Sequence, residues 1–245
     1  MKLYKLVLLI VIFSINLKAN NIISSKNESQ TLNIWEVLRD QHLLVNQNDA
    51  ILGGESLCGP ASAINILQAV SQTLTNKPLY LNPKEILDAI SKNGEFKGGA
   101  NSEQIVSLLK KSLIDMLSNY KFKVSAITGR GMQKAFDDGK EVDQIIHSDL
   151  LPNQTKFKIV ALGLFNADGR FLGNHFVALN RANNYKIWLV DPMSTYNQNL
   201  IIKLNGEQDV NGVLVPEYLN LRKASDLQKV KSLVPLSVIT IEILT

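Results

Sequence analysis

From Pro60 the apolar positions Ala63, Ile64, Leu67, Val70 and Leu74 recur at steps of three and four residues. That is the period of one helical face, and it predicts a helix of about four turns, with proline in the first turn where its missing N–H is harmless. "NIWEVLRDQHLLV" carries Ile34, Val37 and Leu38 at the same spacing and reads as a short helix. Two more helices follow: "NPKEILDAISKN", with Asn82 as cap before Pro83, and "NSEQIVSLLKKSLIDML", capped by Asn101 or Ser102. "YKFKVSAI" then alternates as a strand does, and residues 131–151 read as helix with a break near Gly139.

The second half changes period. "FKIVALGLF", "NHFVALNRA", "YKIWLVDP", "NLIIKLN" and "LSVITIEIL" are short, rich in β-branched and aromatic residues, and bounded by turn residues. Helices first and strands afterwards predict an α+β fold, with a mainly helical lobe against an antiparallel sheet lobe.

The first residues, "MKLYKLVLLIVIFSINLKAN", place Lys2 and Lys5 ahead of an apolar run from Leu6 to Ile15. The run is too short for a stable transmembrane helix and fits a secretory signal over residues 1–19, although Leu17 stands where such cleavage sites prefer a small residue. The expected products are a single domain over residues 20–245, a secreted or periplasmic destination and no stable membrane insertion once the signal is gone. Removing the signal takes away Lys2, Lys5 and Lys18 and no acid, so the formal net charge falls from +4 to +1. No dense basic block remains to neutralise phosphates, which sets nucleic acid aside as a partner.

An exported chain ordinarily uses cysteines in pairs, and this one has a single cysteine, Cys58. It is therefore inert, bonded to another chain, or reactive. Its place just before the helix favours the last, because the unpaired N–H groups and positive dipole end of a helix stabilise a thiolate. A thiolate nucleophile needs an acid/base partner. Of three histidines, His42 and His147 lie in polar surroundings and read as solvated, while His175 opens a strand. A three-residue loop Ala182–Asn184 would set His175 directly opposite Asp191 on one sheet face; a two-residue loop would set them on opposite faces. Asp191 also has an ordinary explanation as a turn residue in "DP".

"LCGPASAINIL" followed by "GNHFVALNRANNYKIWLVDP" resembles the papain-like cysteine peptidases, and among them the bacterial group of bacteriocin double-glycine leader peptidases. "KGGANSEQIVSLLKK" resembles the Gly-rich turn and helix between the Cys and His segments of that group, and the likeness spans Val45 to Ser194. It implies a papain-like fold, Cys58 as nucleophile, His175 as general acid/base and Asp191 as its orienter. It also implies a glutamine six residues before the cysteine as oxyanion donor, but Leu52 stands there; Gln47, eleven residues before, is the candidate, with Asn48 as substitute. Asn174 replaces the usual glycine before the histidine. The function expected is an exported cysteine hydrolase, a peptidase acting on peptide or protein through a thioester. The alternatives are acyltransferase or transglutaminase-like chemistry on the same triad, or a degenerate module that binds peptides without cutting them. No His-x-x-x-His or Cys-x-x-Cys spacing suggests a metal, and no cofactor is implied.

Overall fold

The computed structural model of the chain describes residues 34–50, 56–128, 155–165, 171–182, 186–193, 199–203 and 232–244. The signal segment, the helix expected over 131–151 with His147, and the residues 51–55 ahead of Cys58 lie outside them.

Helical backbone over 34–40 (α1) is followed by a 3₁₀ turn, Gln47–Asp49, and by three helices, α2 (Cys58–Thr75), α3 (Pro83–Lys92) and α4 (Ser102–Met116). The six strands among the described residues are β1 (Lys121–Thr128), β2 (Lys156–Phe165), β3 (Phe171–Ala182), β4 (Lys186–Val190), β5 (Asn199–Lys203) and β6 (Ser232–Leu244). The fold is α+β, as the change of period predicts. The strands form one antiparallel sheet in the order β1-β6-β2-β3-β4-β5, so the last strand inserts between β1 and β2.

Local chemistry explains the helix boundaries. Asn101 caps α4 through a capping box with Gln104: each side chain accepts the other residue's backbone N–H. Asn82 precedes α3 without such a bond, and Pro83 supplies the pre-set φ. Helix α2 ends at Asn76, which takes the left-handed conformation at φ 55° and donates its N–H to Gln72 O. At the other end it begins two residues earlier than its apolar period suggests, at Cys58 itself. Pro60 still falls within the first turn, where the first four N–H groups have no partner inside the helix.

Helix α2 is buried over most of its length and packs on the centre of the sheet. Its apolar side chains join Ile159, Ala161, Phe176, Ala178, Val190, Ile239 and Ile241 in one core with Ile105, Leu109 and Leu113 of α4. The alternate residues Val160, Leu162, Val177, Leu179, Leu189 and Val238 are buried too, so the central strands are apolar on both faces. This accounts for the nearly continuous apolar run of β2, which a sheet with one wet face would interrupt.

Four buried polar side chains, Ser62, Asn65, Gln68 and Ser71, interrupt the apolar surface of α2 at three-residue steps. Each binds backbone outside the helix. Ser62 Oγ donates to Phe176 O at 2.8 Å, and Ser71 Oγ donates to Lys77 O at 2.9 Å. Asn65 accepts from Val45 N at 2.8 Å and donates to Val45 O at 3.1 Å. Gln68 donates to the carbonyls of Leu43 and Tyr80 and accepts from the N–H groups of Leu79 and Tyr80. A buried polar group left unpaired costs about 1–3 kcal/mol, so these bonds fix how the helix sits against strand and loop.

Candidate active site

Cys58 is the first residue of α2. Its N-cap, Leu57, has no side chain able to satisfy the exposed N–H groups, and the thiol occupies that place: the sulfur accepts from the N–H of Gly59 and from the N–H of Phe176 in β3. The residue after the cysteine has to be glycine. A Cβ on Gly59 would lie 2.7 Å from Ala100 Cβ and 2.8 Å from Ile105 Cδ1, because the turn ahead of α4 presses on the start of α2.

The meeting of Cys58 with β3 follows from unequal strand lengths. Strand β4 ends at Val190, which pairs with Ala178, whereas β3 begins seven residues before Ala178, at Phe171. Beyond that pair, the first turn of α2 takes the strand's place, with the Cys58 sulfur on Phe176 N–H and Ser62 Oγ on Phe176 O. His175, one residue earlier, is thereby brought to the thiol, and the two side chains share a hydrogen bond. Strand β3 reaches this point through an irregularity between Leu164 and Phe165 on the neighbouring strand, with Gly173 at φ 150°. The positive φ thus falls at Gly173 rather than at Asn174.

The far side of the imidazole meets Asp191: His175 Nε2 and Asp191 Oδ1 are 2.7 Å apart. The register that achieves this differs from the expectation. Arg181 pairs with Trp188, further along than a three-residue loop Ala182–Asn184 would put its partner, and Asn180 is the extra residue of a bulge between Leu179 and Arg181. One step beyond the Ala178–Val190 pair, Asp191 falls across from Val177, so it is diagonal to His175 and not directly opposite. The bulge decides the face. Without it, the spacing from the hairpin end would have put His175 and Asp191 on opposite sides of the sheet. Asp191 also retains its turn role, since the same Oδ1 accepts Met193 N–H at 2.8 Å.

All three groups are buried: Cys58 is 7 % exposed, His175 8 % and Asp191 2 %. Burial alone would raise the thiol's pKa, but the hydrogen bond and positive charge of His175, together with the two backbone N–H groups, bring it below the ordinary cysteine value. Burial would likewise lower the imidazole's pKa; the Asp191 carboxylate first, and the Cys58 thiolate after it, push it up to about 10. Asp191 is held below the usual carboxylate range against its own burial by the charge and hydrogen bond of His175 and by Met193 N–H. All three shifts run toward thiolate, imidazolium and carboxylate, a nucleophile beside a proton donor.

The backbone of Gln47 is tied to the segment that carries Asp191. Its backbone N–H donates to the carbonyl of Pro192, next to Asp191, at 2.8 Å. The side chain is buried, the residue being 4 % exposed, and its Oε1 has no hydrogen-bond partner among the described residues. Asn48, the substitute, is exposed, as is His42. Gln47 is set in place from two directions, since Asn65 grips Val45 two residues before it and the capping box between Asn46 and Asp49 closes the turn around it.

Ser62 and Asn65 escape a reading based on apolar spacing. The signal for them is the run of small polar residues at three-residue steps in a helix otherwise apolar all round. Among the described residues, no cluster of His, Cys, Asp and Glu could hold a metal ion, and no helix is long and apolar enough to cross a membrane. Compared with models of known protein families and with curated proteins, the chain matches none.

Proposed function

We propose that this protein is an exported cysteine hydrolase of papain-like fold, a peptidase in which Cys58 is the nucleophile, His175 the general acid/base and Asp191 the orienter of the imidazole. The observation that carries the reading is the continuous hydrogen-bonded line from the Cys58 thiol through His175 to Asp191 at the start of a buried helix. A buried ion pair of this kind is costly as a structural device and useful as a chemical one.

In the reaction, the Cys58 thiolate attacks the carbonyl carbon of a peptide bond, forming the S–C bond while the carbonyl electron pair moves to oxygen. The backbone N–H of Cys58 and the side-chain amide of Gln47 donate to that oxyanion. His175 gives its proton to the leaving amine nitrogen, the C–N bond breaks, and a thioester remains. The neutral imidazole then takes a proton from water as its oxygen attacks the thioester, and loss of the thiolate restores the starting state. The burial of Gln47 and the bond of its backbone N–H to Pro192 O, next to Asp191, support placing its amide at the reacting centre.

The test uses an activated ester, so that no natural substrate need be known. Mixed with p-nitrophenyl acetate, the protein should release about one equivalent of p-nitrophenolate in a burst, with an acetyl group mapped to Cys58. Cys58→Ser and His175→Ala should abolish the burst. A burst that survives in both variants would sink the proposal.

A further inference from the structure

We infer that Ser62 is a positioning residue, whose hydroxyl sets the distance between the Cys58 sulfur and the His175 imidazole by fixing the first turn of α2 to β3. This rests on the function proposed above and adds to it a residue that touches none of the reacting atoms. Both backbone groups of Phe176 face the gap left where β4 ends, and both are taken by α2: N–H by the Cys58 sulfur, and C=O by Ser62 Oγ at 2.8 Å. Residues four apart lie one above the other on a helix, so the two contacts act as a two-point grip on one residue of β3. His175 immediately precedes that residue. Any slide of helix along strand would therefore change the thiol–imidazole contact and the Phe176 N–H contact together.

Ser62 is fully buried and its bond spans 114 positions of sequence, so neither solvent nor local chain geometry substitutes for it. Removing the hydroxyl leaves the Phe176 carbonyl unpaired against α2, and the helix start relaxes away from it. The sulfur then loses part of its contact with both donors on β3, and the thiolate is less favoured.

The experiment follows the pH dependence of Cys58 alkylation by iodoacetamide in the full chain, comparing wild type, Ser62→Ala, Ser71→Ala and His175→Ala. The midpoint of the profile reads thiolate formation, whereas access to the buried thiol scales the whole curve without moving it. Ser71→Ala is the control, because it removes a serine-to-carbonyl bond of the same kind from the same helix, partly buried, 2.9 Å long and about 14 Å further along. Ser62→Ala should move the midpoint up by about one pH unit, which is a loss of about tenfold in rate on the acid side. Ser71→Ala should lower the melting temperature by a similar amount and leave the midpoint in place. Ser62→Thr, which keeps the hydroxyl, should keep the wild-type midpoint. Equal midpoints in wild type and Ser62→Ala would overturn the assignment, as would a Ser62→Thr midpoint a full unit above wild type, even if the alanine variant failed to fold. A wild-type profile with an ordinary thiol midpoint that ignores His175→Ala is a different failure, since it removes the proposed function and leaves Ser62 nothing to position.

Discussion

A free cysteine among apolar side chains is ordinarily a small hydrophobe, and Cys58 is buried enough to pass for one. The difference lies in its partners, because each of the three groups around the sulfur and imidazole, Gly59 N–H, Phe176 N–H and Asp191, favours the charged pair over the neutral one. Asp191 contributes most of the lift on His175, through charge as well as through its hydrogen bond. Asp191→Asn keeps an oxygen that can accept from Nε2 and from Met193 N–H, so the turn and the ring orientation survive while the charge is lost. The variant should fold normally, show an alkylation midpoint shifted up toward that of ordinary cysteine, and lose roughly a hundredfold or more in the rate of the ester burst. An unchanged midpoint would reduce Asp191 to a cap for the turn at Met193. Gln47 makes a complementary case. Its amide serves the oxyanion and not the thiolate, so Gln47→Ala should slow the burst by about 10²–10³ and leave the alkylation profile where it was, because displacement on iodoacetamide develops no oxyanion.

At the scale of elements, the helices and strands were legible because each carries its own period and caps, and the α+β class followed from their order. Cys58, His175 and Asp191 were legible through chemistry: the single thiol sits at a helix start, and one histidine and one aspartate lie on adjacent strands. The register between those strands was not legible. Nothing in "LNRANNYKIW" marks Asn180 as an extra residue, since a bulge is a compromise between pairing and burial on both faces, and those are set by the rest of the sheet. The polar stripe of α2 was hidden for a similar reason. Asn65 and Gln68 look like the wet face of an amphipathic helix until the segments that pair with them are in place. Asn65 holds the residues before Gln47 as a neighbouring strand would, by one donated and one accepted bond at Val45. Asn65→Asp keeps the acceptor and loses the donor, and should therefore loosen Gln47 without touching Cys58. In a double-mutant cycle on the burst rate, Asn65→Asp should cost about tenfold or more in wild type and almost nothing on top of Gln47→Ala; additive losses would show that Asn65 acts only on stability.

Across the whole molecule, the opposed shifts of Cys58 and His175 make a stability profile that neither group would give alone. Cys58 has a folded pKa below its unfolded value of about 8.5. Its contribution is therefore fully present above about pH 8.5 and is lost as pH falls toward the lowered folded value. His175 has a folded pKa raised to about 10 against about 6.5 unfolded. Its contribution is complete below about pH 6.5 and is lost as pH rises through 10. Above about 6.5 and above the lowered Cys58 value, up to about 8.5, the folded pair holds one proton on the imidazole and the unfolded pair holds one on the thiol, so the proton counts match and the two slopes cancel. Unfolding free energy should accordingly be nearly level across this window as far as the pair is concerned. Differences between variants isolate it, because all other titrating groups are common to both chains. The wild type minus Cys58→Ala difference should climb with pH from the lowered Cys58 value, by at most about 1.4 kcal/mol per unit, and level off above about 8.5. Urea unfolding at half-unit pH steps measures this curve. If it is flat from pH 6 to 8.5, the thiol titrates as in the unfolded chain, and no thiolate–imidazolium pair exists for the hydrolase chemistry to use.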